Sequence, residues 1–324
     1  MSRSAKKDIF GVKPVKANLL DKATLEKALE HIHPTHVFFT TWMKGSSEEE
    51  NILLNSSLVA NLLDTVRKKR SVKHVTLVTG LKHYLGPFES YVSEGKLPET
   101  PLREDQPRLS FPNFYYAQED ELFAAAEKDG FTWNVHRPHT VIGNAVGNLM
   151  NMGTTSAVYA SICKEHNLPF IFPGSKAQWE GSSDVTDAKI LAKQIIWATQ
   201  TPLTNNKAFN ILNGDVFRWS WLWKQIAEWF RIEYEGFQNQ IRPLEKTLEG
   251  KEALWTEMAQ KFNLVGADLN KVSSAWHTDL DLGRPIEVIT DITNSRSLGF
   301  KEFYNTKKSF ISLFEKLKLD KVIP

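Results

Sequence analysis

Two short runs rich in β-branched and aromatic side chains, His36 to Thr41 and His74 to Thr79, flank a long segment of helical periodicity. Strands joined through a helix of that length pair in parallel, because only a crossover returns the chain to the same edge. In the intervening segment, about Ser47 to Lys69, Ile52, Leu54, Leu58, Leu62 and Val66 recur at helical spacing, and Ser46 or Ser47 with Glu49 and Glu50 supplies a capped start. A shorter helix is expected from Asp21 to Ile32. The alternation continues with a helix from about Asn113 to Lys128, a strand from Thr132 to His136, and a returning strand from Phe209 to Leu212. Near-continuous apolar strands separated by helices predict an α/β fold, a doubly wound parallel sheet covered on both faces. Chemistry in such sheets sits beyond the carboxyl ends of the strands, here Thr41-Trp42, Thr79 to Lys82 and Arg137-Pro138. Further helices are expected at Asn148–Glu165, Thr186–Thr199, Trp219–Phe230, Lys251–Phe262 and Lys307–Leu319.

A net charge of +2 gives no pull toward nucleic acid or an anionic membrane, and neither is an expected partner. The run Arg67 to Arg70 reads as the solvated last turn of a helix, where cations meet the negative end of the dipole. No stretch approaches the roughly 18 apolar residues of a membrane span. The basic start, Met1 to Lys7, has no apolar signal core behind it. The single cysteine, Cys163, excludes an intramolecular disulfide and reads as a small buried hydrophobe. These features predict a cytoplasmic protein. His31, His33 and His36 are close in sequence, but Pro34 separates them and no metal is expected. Trp219, Trp223 and Ile226 share a helix face that reads as core or subunit packing. The assembly is left open, with a homodimer among the options. Asp279 and Asp281 read as loop caps.

A parallel sheet invites a search for a glycine-rich phosphate-binding turn after the first strand, and none is present. The stretch from Gly143 to Gly147 lacks the third glycine at the right distance and reads as a connecting loop. A strand–turn–helix unit needs roughly 30 residues or more. Only 35 residues precede His36, and Asp21 to Ile32 already reads as a helix, so the first βα unit is expected to be missing.

Carbonyl chemistry with a hydride donor needs a group that polarises the oxygen, typically a tyrosine hydroxyl beside a lysine ammonium. The usual spacing places Lys four residues after Tyr on one helix face. Tyr115 and Tyr116 are followed at that distance by Glu119 and Asp120. Tyr304 with Lys308 has the spacing but no following strand, and reads as a surface coincidence. The other source of an ammonium is Lys82, just past the strand that ends at Thr79. The segment Thr79-Gly80-Leu81-Lys82-His83-Tyr84-Leu85-Gly86-Pro87-Phe88-Glu89-Ser90-Tyr91, with Asn113-Phe114-Tyr115-Tyr116 about thirty residues on, resembles the progesterone 5β-reductase and iridoid synthase family of extended short-chain dehydrogenases. The likeness continues through Trp133 to Pro138, Gly174 to Trp179, Phe209 to Phe217 and Lys321 to Pro324.

The resemblance implies a Rossmann-like fold of the extended short-chain dehydrogenase type. Residues 1–143, with 205–217 returning to them, would form a shortened dinucleotide-binding domain, and 144–324 a smaller, mostly helical substrate domain. It implies NADPH, with NADH as the alternative, and 1,4-reduction of a small apolar α,β-unsaturated carbonyl compound. Tyr115 would stabilise the enolate oxygen, while Lys82 would hold down the tyrosine's pKa and contact the cofactor. Phe88 and Thr140 would line the substrate. Arg3 falls where the family places an arginine for the adenosine 2′-phosphate, although Ser4 replaces its neighbour, which weakens the NADP preference. Asn18 and Leu19 match positions near the adenine. Thr41, Trp42, Thr79 and Gly80 match strand-end contacts, and Pro138 and Val141 flank the nicotinamide. The glycine-rich turn would lie upstream of Met1, so the chain is expected to be a shortened form that binds NADPH weakly. Carbonyl reduction, sugar-nucleotide epimerisation or dehydration, and a non-catalytic role after loss of cofactor are the alternatives.

Overall fold

A computed structural model describes residues 1, 11–86, 98–145 and 150–324. Arg3 and Phe88 lie outside the described residues. The chain divides into two compact units, one of residues 1–87, 105–137 and 195–209, the other of residues 88–104, 138–194 and 210–324.

The first unit is built on the expected sheet. Strands β1 (His36–Phe39), β2 (His74–Val78) and β3 (Thr132–Pro138) pair in parallel with no register break, His36 opposite His74 and His74 opposite Thr132. Strand β4 (Lys207–Ile211) joins beside β3, giving the order β1-β2-β3-β4. The returning strand expected around Phe209 therefore does rejoin the sheet. β2 is buried along nearly its whole length, as a central parallel strand should be. β1 alternates instead, with Val37 and Phe39 buried while His36 and Phe38 face outward.

Three helices cover these strands: α1 (Lys22–Ala28), α2 (Glu48–Arg67) and, after a short α3 (Lys82–Leu85), α4 (Phe114–Asp129). Leu25, Leu58, Leu62, Leu63 and Leu122 close onto Val75, Leu77 and Val135 as one apolar core. Ser47 caps α2 by accepting from Glu50 N at 3.2 Å, and Glu50 Oε2 accepts from Ser46 N, the reciprocal pattern the sequence suggested. Asn113 caps α4, and Gly130 ends it in the left-handed conformation with φ 75°. α1 stops at Ala28 rather than Ile32, since the residue before Pro34 is steered away from helical geometry and the preceding turn unwinds.

The second unit holds α5 (Met152–Glu165), α7 (Trp219–Phe230), α8 (Glu252–Phe262) and α9 (Thr306–Leu319); α6 (Ala188–Gln200) runs from this unit into the first. α5 begins four residues later than expected, where Asn151 accepts from Thr154 N. α6 begins at Ala188 because Thr186–Asp187 pairs in parallel with Val141–Ile142 instead. Its core is aromatic: Trp223 stacks on Phe170 at 4.2 Å and meets Trp219 edge-on. The tryptophan face is thus core packing. Cys163 is buried beside it, and burial pushes its thiol up to about 12. Asp279 caps the helix Leu244–Leu248 by accepting from Leu244 N and Glu245 N. Among the described residues, no helix is long and apolar enough to cross a membrane.

Candidate active site

Parallel strands put their carboxyl ends on one edge, and the loops after β1 and β2 meet there. The loop after β1 carries Thr41 and Trp42 and is pinned by amides of α2. Asn55 exchanges two hydrogen bonds with the Met43 backbone, both 2.8 Å, and Asn51 Oδ1 accepts from Gly45 N at 2.7 Å. After β2, Thr79 N donates to His136 O at 2.9 Å and extends the ladder by one residue. The chain then turns through Gly80 into α3, whose first residue is Lys82.

The start of α4 meets this edge. Asn113 Oδ1 accepts from Tyr115 N at 3.0 Å while its amide donates to Lys82 O at 2.8 Å. Phe114 forms the centre of the cluster. Trp42 stacks on it at 5.3 Å, the Lys82 ammonium stands 4.6 Å from its ring centroid, and the Tyr115 ring lies 4.4 Å away. The two residues on which the sequence argument depends, Tyr115 and Lys82, therefore share a neighbour. Glu48, the first residue of α2, joins them. Its Oε2 accepts from Lys82 Nζ at 2.5 Å and its Oε1 from Phe114 N at 2.9 Å.

The neighbouring phenols are unequal. Tyr116 is consumed by structure, with its hydroxyl donating to His83 O and accepting from Leu109 N at 3.0 Å. The half-buried Tyr115 makes no side-chain hydrogen bond with any described residue. Burial, and secondarily the Glu48 carboxylate, push the Tyr115 phenol up from its ordinary range. This corrects the expectation that Lys82 holds that pKa down. The ammonium is paired with Glu48, so its field at Tyr115 is offset by the carboxylate. The phenol is thereby held in its protonated form.

Behind this rim lies a buried ionic network. Glu119, four residues after Tyr115, receives Arg137 NH2 and Arg108 NH2, each at 3.0 Å, and His83 Nδ1 lies 3.4 Å away. Arg137 NH1 also donates to the Tyr84 hydroxyl at 3.0 Å. Burial opposes the charge on Glu119, but the His83 ring and the Arg137 guanidinium outweigh it and hold the carboxyl down at about 2. Burial pushes His83 down. His83 is thus part of the scaffold under Lys82.

The remaining expected positions lie on other elements. Asn18 and Leu19 sit against the middle of α2, where Asn61 donates to Leu19 O at 3.0 Å. Asn61 is thirteen residues from Glu48, or about 20 Å along the helix. Pro138, Thr140 and Val141 belong to the second unit, where Thr140 O accepts from Thr186 N at 3.1 Å. Tyr304 precedes α9, so it shares no helix face with Lys308. Glu48 escaped the sequence reading. The acid-rich start of α2 was visible as a cap, but nothing local marks which of its three glutamates reaches residues 34 and 66 positions away.

Comparison with known proteins follows the same lines. The profile of the PRISE-like Rossmann-fold domain matches residues 15–324. The chain belongs to this family. It is 42% identical over 294 residues to 3-oxo-Delta(4,5)-steroid 5-beta-reductase of Arabidopsis thaliana, covering 90% of this chain and 75% of that protein. It is 39% identical over 314 residues to an (S)-8-oxocitronellyl enol synthase of Nepeta cataria, covering 96% and 80%. The resemblance drawn from the Lys82 and Tyr115 segments is borne out. Among solved structures, RMD from Pseudomonas aeruginosa complexed with NADPH aligns with a TM-score of 0.64 at 12% identity, over 94% of this chain and 88% of that one. UDP-glucose 4-epimerase from Thermotoga maritima aligns at 0.63 and 14%, over 94% and 84%. These likenesses show the Rossmann fold.

Proposed function

We propose that this protein is an NADPH-dependent reductase of α,β-unsaturated carbonyl compounds, with Tyr115 as the donor to the substrate oxygen and Lys82 beside it. The observation that carries the reading is that Lys82 and a protonated Tyr115, whose hydroxyl is unengaged among the described residues, meet the same Phe114 ring, in a chain whose relatives are named for a steroid 5β-reductase and an enol synthase. A bound NADPH would supply hydride to the β-carbon. Thr79 supports a polar group at this edge: its hydroxyl is buried and has no hydrogen-bond partner among the described residues. Thr79, Gly80, Lys82 and the backbone at Thr41 and Trp42 would hold the nicotinamide half. The single buried thiol, Cys163, supports a reducing, cytoplasmic setting.

As the β-carbon gains hydride, negative charge gathers on the carbonyl oxygen. Tyr115 meets that charge with a hydrogen bond that strengthens toward the transition state. A phenol with a raised pKa suits this role, since 1,4-reduction asks for a donor and not for a tyrosinate base. The partly exposed Trp42, backed by the buried Phe114, gives the rim an apolar surface that fits an apolar enone.

Tyr115→Phe tests it. At saturating NADPH with 2-cyclohexen-1-one, turnover is expected to fall about tenfold or more, the scale of one lost oxyanion donor. Turnover equal to that of the unsubstituted chain would remove Tyr115 from the mechanism.

A further inference from the structure

An acid at the start of a helix is ordinarily explained by the helix dipole or by capping. In α2 those tasks fall to Ser47, which accepts from Glu50 N, and to Glu50, whose carboxylate accepts from Ser46 N. Glu48 does something else. Its carboxylate leaves its own helix and binds two other elements, the α3 lysine at 2.5 Å and the Phe114 N–H of α4 at 2.9 Å, while Asn51 steadies Oε2 from one turn on at 3.3 Å.

The first backbone N–H groups of a helix lack partners within it. At the start of α4, Asn113 satisfies the N–H of Tyr115 and Glu48 that of Phe114. Both capping groups also hold Lys82: Asn113 binds its carbonyl and Glu48 its ammonium. The main chain and the side chain of the lysine are therefore tied separately to the turn that carries the tyrosine. The pair is only partly screened from water, with Lys82 and Glu48 side chains 24% and 19% exposed.

We infer that Glu48 is a positioning residue that fixes the Lys82 ammonium relative to the first turn of the Tyr115 helix. The inference rests on the reductase reading for its catalytic consequence, but its geometric content stands apart from it. Glu48→Gln is the informative variant, because its one carbonyl oxygen can still accept from Phe114 N–H while the charge that holds the ammonium is gone.

The test has two arms. In the first, every lysine of the 324-residue chain is mapped by acetylation with sulfosuccinimidyl acetate and peptide mass spectrometry. Lys82 is expected to acetylate about threefold faster or more in Glu48→Gln, with Lys193 as an unchanged control, since an ammonium no longer held 2.5 Å from a carboxylate is free to meet the reagent. The second arm is a double-variant cycle in the reduction of 2-cyclohexen-1-one. Glu48→Gln is expected to lower kcat about tenfold with KM for the enone within about twofold, and to add less than about twofold when Lys82 is already Met, because residues acting through one another are not additive. An unchanged Lys82 acetylation rate overturns the inference whatever the fate of the reductase reading. Full turnover in Glu48→Gln while Tyr115→Phe is impaired overturns it alone, as does a full additive loss on Lys82→Met. Full turnover in both Tyr115→Phe and Lys82→Met overturns the assignment of that chemistry to Tyr115 and Lys82 and leaves the acetylation arm to decide the clamp.

Discussion

Two glutamate–cation clusters occupy the first unit, and they differ in almost everything but composition. Glu119 and Arg137 are sealed, with side chains 1% and 6% exposed, and Arg108 and Tyr84 complete the set. Glu48 and Lys82 sit on the rim, partly open to water, next to a phenol that bonds to nothing described. A sealed ion pair cannot lose a partner without stranding a charge, so the inner cluster is committed to holding the fold. An open pair exchanges its partner with water or ligand at small cost, so the outer cluster is where binding and chemistry are affordable. Two adjoining residues, Tyr115 and Tyr116, divide along the same boundary, one exposed to the rim and the other spent on backbone.

That contrast breaks most visibly at Glu119. Glu119→Ala leaves Arg137 buried with its main countercharge gone, a change expected to cost about 3–5 kcal/mol in denaturant unfolding. A loss below about 1 kcal/mol would mean the inner cluster is not the scaffold described here. Acid probes the same group without mutation. Its folded pKa of about 2 lies below the ordinary 4.5, so the unfolded chain takes up the proton first. The stabilisation is complete above that ordinary value and drains as pH falls toward about 2. His83, pushed down by burial, contributes with the same sign from nearer neutrality. Urea midpoints at successively lower pH should fall, and Glu119→Gln should flatten the lowest part of that decline.

Asn113→Ala is the intermediate case. It removes the α4 cap and the tie to the Lys82 carbonyl, for an expected loss of about 1 kcal/mol, the usual cost of a missing N-cap. Lys82→Met should shift stability least, by under about 1 kcal/mol, because a partly exposed ion pair contributes little to folding. The same substitution should remove most of the turnover. A large loss of stability in Lys82→Met would erase the distinction between the clusters.

The sequence made the sheet legible because strands and helices announce themselves locally. The run from His74 to Thr79 is rich in β-branched residues, and the spacing of Leu58, Leu62 and Val66 admits little but a helix. The site was legible in part. Lys82 and Tyr115 could be paired because each lies in a distinctive segment, and a strand-end position explains why a lysine there can serve a tyrosine on another helix. What stayed hidden was the carboxylate between them. A contact spanning 34 residues leaves no periodic trace, and Glu48 among Glu49 and Glu50 looks like one more cap. The direction of the Tyr115 shift was hidden too, since it follows first from burial and then from the Glu48 carboxylate.

The central claim is that the rim cluster stabilises an enolate oxygen while hydride enters at the β-carbon. Deuteride transfer tests it directly: 2-cyclohexen-1-one is reduced with NADPH carrying deuterium at the transferring C4 position, and the product is read by NMR and mass spectrometry. The account predicts cyclohexanone with deuterium at C3. Deuterium at C1 of 2-cyclohexen-1-ol would contradict it.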